Sequence, residues 1–131
     1  MAQLSDEQIT LLREPHIAQL VTLMPDGSPQ ISPVWVDTDG SDVLINTALG
    51  RLKSNNMARD ARVAVGVYDP ENSYTRVVNV RGRVTSISEE GADAHIDSLA
   101  KKYMGVDSYP YADPDVTRVI VRIAPERISG G

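Results

Sequence analysis

Strand-like and helix-like runs of apolar positions divide the chain. Ile17-Ala18-Gln19-Leu20-Val21-Thr22-Leu23-Met24 is largely apolar and suits a buried strand. Pro29 to Val36 follows as a second strand. Pro25-Asp26-Gly27-Ser28 between them has turn chemistry, so residues 16–37 read as a β-hairpin. Asp39-Gly40 marks another turn before Val43-Leu44-Ile45-Asn46-Thr47. Val63, Val65 and Val67 alternate with Ala64, Gly66 and Tyr68, the period of two that marks a strand, and Asp69 to Ser73 then forms a loop. A long strand is predicted from about Thr75 to Ile87, with Val78, Val80, Gly82 and Val84 on one face and Asn79, Arg81, Arg83 and Thr85 on the other. A final strand runs from Val116 to Ile128. It sets Val119, Val121 and Ile123 opposite Arg118 and Arg122.

Helical signals occur three times. Ser5-Asp6-Glu7-Gln8 has the form of a capping box, Ile9, Leu11 and Leu12 follow as an apolar face, and Pro15 stops the helix. Gly50 to Asp60 reads as a short helix with weak apolar periodicity. Ser88-Glu89-Glu90 reads as a helix start, Ala92, Ile96, Leu99 and Tyr103 fall on one stripe, and Gly105 ends it. The following loop, with Tyr109-Pro110-Tyr111, is expected on the surface. The order is therefore helix, three strands, short helix, two strands, helix, strand. Hairpin links predominate and no βαβ repetition occurs, so the sheet should be antiparallel. Closing it on itself removes its edges. The fold class expected is mainly β: a six-stranded antiparallel β-barrel with peripheral helices, one domain over residues 1–131.

Composition narrows the chemistry more than the fold. With no cysteine, a disulfide scaffold, a thiolate zinc site and a cysteine nucleophile are excluded. His16 and His95 are the only histidines, so no metal site is expected. A net charge of −5 argues against a general nucleic-acid binder, which needs a basic surface to displace counterions. No apolar run is long enough to span a membrane, and Met1 to Glu7 is acidic without the apolar region of a signal peptide, so a cytoplasmic protein is expected. Ser129-Gly130-Gly131 is expected to fray. The five Tyr and one Trp, with no Phe, leave few rings to line a pocket.

Among candidate sites, Gly50 to Asn56 stands out. Arg51, Lys53, Ser54, Asn55 and Asn56 gather cations and donors at a helix start, which suits a phosphate, although a solvated basic turn would look the same. P-loop and GxGxxG patterns are absent. Pro33 lies inside a strand and cannot donate to a ladder. That strand is either interrupted, exposing backbone groups to a flat heteroaromatic ligand, or an edge strand with Trp35 in the core. Arg76, Arg81, Arg83, Arg118 and Arg122 either form a basic stripe or pair with carboxylates. His95 reads as a surface or boundary residue, and His16 has no companion residue to suggest a triad. Ser32 lacks evident triad partners, and Asp26, Asp37, Asp39 and Asp42 read as solvated turn carboxylates. No reaction follows from these residues alone.

Taken together, several stretches are similar to a known family. They are Asp26-Gly27-Ser28-Pro29-Gln30-Ile31-Ser32-Pro33-Val34-Trp35-Val36; Asn46-Thr47-Ala48 through Arg51-Leu52-Lys53-Ser54-Asn55-Asn56; Asp60 to Val65; Val80-Arg81-Gly82-Arg83-Val84; and Val119 to Arg127. The chain resembles the pyridoxamine 5′-phosphate oxidase-like split β-barrel superfamily, in particular the B class of flavin/deazaflavin oxidoreductases. The resemblance implies a homodimer with two cofactor sites at the subunit interface. It implies that Arg51 and Lys53 hold the cofactor phosphate, assisted by Ser54 and Asn56. Gln30, Ser32, Pro33, Val34 and Trp35 would run along the tricyclic ring, with Asn46, Thr47 and Ala48 on the neighbouring strand and Tyr74 and Arg76 reaching across the dimer. The implied cofactor is coenzyme F420, with FMN the alternative. The implied reaction is hydride transfer to an electron-poor C=C or C=N bond of a small-molecule acceptor, with a non-catalytic flavin, deazaflavin or tetrapyrrole carrier as another reading. The resemblance assigns no catalytic side chain.

Overall fold

In the computed structural model, which describes residues 2–130, ten elements follow one another. Helix α1 (Asp6–Arg13) leads into strands β1 (Ala18–Leu23), β2 (Pro29–Val34), β3 (Val36–Thr38) and β4 (Val43–Ala48). Helix α2 (Leu52–Arg59), strands β5 (Arg62–Tyr68) and β6 (Val77–Ser88), helix α3 (Ala92–Met104) and strand β7 (Arg118–Ser129) complete the chain. All pairings are antiparallel, and the sheet order is β2-β1-β5-β6-β7-β4-β3.

That order explains why seven strands stand where six were expected. The segment read as one strand from Pro29 to Val36 is broken at Trp35. Its first half pairs with β1, with Pro33 opposite Gln19, and its second half pairs with β4, with Val36 opposite Ile45. The two edge strands of the sheet are thus consecutive in sequence, and the sheet curls until one interrupted segment joins its ends. Pro33 sits on an edge strand and the segment is also interrupted, but Trp35, which the edge-strand reading put in the core, is half-buried and stands at the break.

Inside the curl, alternating positions meet in one core: Leu20, Val36, Val43, Ile45, Val67, Val78, Val80, Val119, Val121 and Ile123 are all essentially inaccessible. Asn79, Arg81, Arg83 and Thr85 face outward, as the period of two requires. Register shifts between Arg81/Gly82 and Val84/Ser86 bend β6 over β7. Gly82 is needed there because a Cβ would collide with the Ala124 backbone carbonyl oxygen.

The capping box forms as expected. Gln8 N–H donates to Ser5 Oγ at 3.2 Å, and Ser5 N–H donates to Gln8 Oε1 at 2.8 Å. Helix α3 begins later than its acidic signal suggested. Ser88 caps only a turn through Glu90 N–H, and the N-cap is Gly91, whose φ of +75° an L side chain rarely adopts. Ser129, expected to fray, is paired with Asn79 as the last residue of β7; Gly131 and Met1 lie outside the described residues. Among the described residues, no helix is long and apolar enough to cross a membrane.

Candidate functional site

A cavity of about 360 Å³ opens where the barrel segment breaks. Pro33, Val34 and Trp35 from the break form one side, and Asn46 and Thr47 from β4 form another. Arg51 and Lys53 enter from the start of α2, and Arg118 enters from the start of β7. Ile17, Ile96, Tyr109 and Tyr111 complete the wall, and a second cavity of about 690 Å³ shares Arg51, Ile96, Tyr109, Tyr111 and Arg118 with it.

Three cations dominate the electrostatics. Arg51, Lys53 and Arg118 have no ion-pair partner among the described residues, whereas Arg76, Arg122, Arg62 and Arg83 all meet carboxylates. Burial holds the Lys53 amine below its ordinary value, and the charges of Arg51 and Arg118 push it further the same way. Arg51 is the N-cap of α2 and makes no side-chain cap hydrogen bond, so the positive end of that helix is left open. Thr47 is buried on the cavity wall, and its Oγ1 lacks a hydrogen-bond partner among the described residues. Cations held together against their own repulsion, beside an orphaned hydroxyl, suit an anionic ligand.

Aromatic rings supply the flat surface. Trp35 stacks on Tyr103, with ring centroids 5.2 Å apart and planes 4° from parallel, and meets Tyr109 edge-on at 6.1 Å. Tyr109 in turn meets Tyr111 at 5.6 Å. The loop expected on the surface therefore contributes a wall: Asp97 Oδ1 accepts the Tyr109 N–H at 2.8 Å and pins it.

Of the residues named from the sequence, Pro33, Val34, Trp35, Asn46, Thr47, Arg51 and Lys53 line this cavity. The others have different surroundings. Asn56 is fully buried and donates to Thr22 Oγ1, which donates to Gln30 Oε1, so Asn56 and Gln30 brace α2 against β1 and β2. Ser54 is buried and donates to the Arg51 carbonyl, and Ala48 is buried at the end of β4. Ser32 carries a buried hydroxyl without a partner among the described residues, outside the lining. Arg76 binds Glu14 and Asp69 of its own chain beside a separate cavity next to α1, and Tyr74 is 90% exposed.

Some functional candidates escaped the sequence reading. His95 stands at the boundary of the core, as expected, but with its side chain only 9% exposed and its Nδ1 3.1 Å from Asn46 Nδ2. Arg118, expected in a basic stripe or paired with a carboxylate, instead faces the cavity, where its register opposite Ala48, next to the α2 entry, aims it. His16 has Glu14 Oε1 3.0 Å from its Nε2, a carboxylate partner without a nucleophile to complete a triad. Glu14, His16 and Asp69 form a metal-like group, but Arg76 Nη1 already lies 2.9 Å from Glu14 and 2.6 Å from Asp69. Asp39 and Asp42 are not merely solvated, since both hold Arg122.

The profile of the pyridoxamine 5′-phosphate oxidase family matches residues 4–130. The chain belongs to that family. A solved structure described as an F420 reductase is 34% identical, with a TM-score of 0.82 over 92% of this chain and 94% of that one. A conserved hypothetical protein from Mycobacterium tuberculosis, Rv2991, is 27% identical with a TM-score of 0.74, covering 95% of this chain and 82% of that one. A putative pyridoxamine 5′-phosphate oxidase from Lactobacillus delbrueckii, at 20% identity and a TM-score of 0.69 over 98% and 94% of the two chains, shares the fold. No curated protein matches the chain in sequence. The fold is the family's split barrel, and the chain is an oxidoreductase of the flavin-binding type.

Proposed function

We propose that this oxidoreductase is a homodimeric, cytoplasmic reductase that uses coenzyme F420 and acts on an electron-poor C=C or C=N bond of a small molecule. The observation that carries this reading is the trio Arg51, Lys53 and Arg118, unpaired with carboxylates and set beside the orphaned Thr47 hydroxyl and the rings of Trp35 and Tyr109. That donor set fits a flat heteroaromatic ring bearing an anionic tail. The 34% identity to the structure described as an F420 reductase supports the choice of cofactor.

Reduced deazaflavin, when bound, supplies the hydride, and the accompanying proton comes from solvent or a lining side chain. The chain's own residues bind and orient. Arg51 and Lys53 neutralise the anionic tail at the open end of α2, and Thr47 Oγ1 offers one hydrogen bond at the wall. Trp35, Pro33 and Val34 exclude water from one face of the ring. Carboxylates line only the adjoining cavity, as Asp93, Asp97 and Asp113, and not the one beside Trp35, so placing donor against acceptor is the protein's main contribution. Exposed Ile17, Leu49, Leu52 and Tyr111 on or beside the lining segments support a second copy covering the open mouth. Light scattering should then give twice the 14.3 kDa chain mass.

Trp35 is the only tryptophan and lies on the cavity wall, so its emission reports occupancy. Titration with oxidised F420 should quench it saturably at micromolar concentration. Micromolar FMN affinity without F420 binding would replace the cofactor, a second reading favoured by the match to the pyridoxamine 5′-phosphate oxidase profile. F420 binding without reoxidation of the reduced form by enones or quinones would leave a carrier.

A further inference from the structure

Beside the cavity, three side chains on three different elements are joined end to end. Arg118 Nε donates to Asn46 Oδ1 at 2.9 Å, Asn46 Nδ2 donates to the Ala92 carbonyl at 2.9 Å, and the same Nδ2 lies 3.1 Å from His95 Nδ1. Chemistry fixes the hydrogens. Arg118 Nε can only donate and the Ala92 carbonyl can only accept, so both ends of the Asn46 amide are assigned independently. His95 Nδ1 must then accept, and the ring proton sits on Nε2. That atom is buried, has no hydrogen-bond partner among the described residues, and lies 4.0 Å from Asp37 Oδ2 on β3. Lys102, on α3 with His95, is the other charge bearing on the ring. Burial already keeps the imidazole below its ordinary value.

Asn46 itself is 8% exposed with both polar atoms engaged, which leaves it little to offer a ligand. Its effect falls on Arg118. With Nε held by Asn46 and the guanidinium 5.4 Å from the centre of the Tyr109 ring, both Nη groups remain without partners among the described residues, a free fork on the cavity wall.

We propose that Asn46 is a positioning residue: it presents the Arg118 fork to an anionic ligand and makes that binding exclusive of a proton on His95 Nδ1. The exclusion follows from donor counting. A proton on Nδ1 would confront the Asn46 N–H, and if the amide turned over to accept it, an N–H would face Arg118 Nε–H and release the fork. A direct Coulomb effect has the opposite sign, since a nearby anion raises an imidazole's proton affinity. This inference rests on the reading that the cavity takes an anion, and is independent of which cofactor carries it.

Inorganic pyrophosphate serves as the probe on the full chain. Ring-nitrogen NMR, with a His16→Gln variant to assign the two histidines, should show His95 as the Nε2–H tautomer. Pyrophosphate should move its titration midpoint downward, by the reciprocity of linked equilibria. A midpoint that rises or stays fixed overturns the proposal. By calorimetry, Asn46→Ala and Arg118→Ala should each weaken pyrophosphate binding about tenfold, as loss of a charge-assisted hydrogen bond does. The double variant should be no weaker than Arg118→Ala alone. Additive losses would show that Asn46 does not act through Arg118. Should Asn46→Ala fail to fold by circular dichroism, the wild-type titration decides. Pyrophosphate that does not bind the wild-type chain also overturns the proposal, whereas coupled pyrophosphate binding without F420 or FMN binding overturns only the cofactor reading.

Discussion

Tyr103→Phe tests how the broken strand is held. Val36 follows the break and turns its N–H and C=O away from β4 toward α3. Its N–H donates to Tyr103 Oη at 3.1 Å, and its carbonyl accepts Lys102 Nζ at 2.6 Å. The Tyr103 hydroxyl also donates to the His16 carbonyl at 2.7 Å, joining the start of the hairpin to its end. Burial holds the phenol above its ordinary value, so it stays protonated and able to donate. Removing the hydroxyl deletes two hydrogen bonds and strands the N–H of Val36, a residue with no accessible surface. Unsatisfied buried groups cost about 1–3 kcal/mol each. Because water can reach the half-buried His16 side, the expected loss is about 2–3 kcal/mol, or roughly 10 °C in melting temperature for a chain of this size. Urea unfolding followed by Trp35 emission measures it, with exposed Tyr111→Phe as control at under about 0.5 kcal/mol. A loss indistinguishable from that control would mean that α3 does not secure the break.

Lys53→Ala should weaken cofactor binding by about 1–3 kcal/mol, the range of a charge-assisted hydrogen bond, and an unchanged dissociation constant at low salt would remove Lys53 from the site. Gly82→Ala should destabilise the barrel by about 2–4 kcal/mol, because the Ala124 carbonyl is backbone and cannot turn aside; denaturant midpoints check this. Burial pushes the Asp39 carboxyl up, but the N–H groups of Asp42 and Ser41 and the Arg122 guanidinium outweigh it and hold it at about 2. This group's contribution is complete above its unfolded value of 3.8 and is lost as pH falls through about 2, so Arg122→Met should flatten the acid limb of stability between those values; an unchanged limb would count against the Asp39–Asp42–Arg122 clip.

What was legible in the sequence follows from how local each signal is. Alternating valines at 63, 65 and 67 and at 119 and 121 declare a strand and its buried face within five residues, and the structure agrees. Ser5 to Gln8 declares a cap within four. The break at Trp35 is of another kind. Pro33 announces trouble in the ladder, but the chain changes partners from β1 to β4 only because Tyr103 and Lys102, more than sixty residues later, satisfy Val36. The partners of Arg118 and His95 are hidden from the sequence for the same reason. Their roles depend on Asn46, 72 and 49 residues away, and no periodicity encodes a contact across that distance. Asn56 failed in the opposite direction: adjacency to Arg51 and Lys53 suggested a ligand contact, whereas its position in α2 turns it toward Thr22 in the interior.

The scarcity of aromatics is best understood through where they stand. The barrel interior is filled by Val, Ile and Leu, whose branched side chains pack closely on a curled sheet, so it needs no rings. Four of the six rings instead gather at the break: Trp35, Tyr103, Tyr109 and Tyr111 form one contact chain from α3 to the cavity mouth. Aromatic side chains suit that place because a Tyr hydroxyl can satisfy the backbone that the break exposes while its ring packs on Trp35. The same rings that close the seam thus also present a surface to a ligand. The seam and the ligand wall are therefore one structure, and substitutions among these four residues should change Trp35 emission and ligand affinity together while leaving the valine core intact.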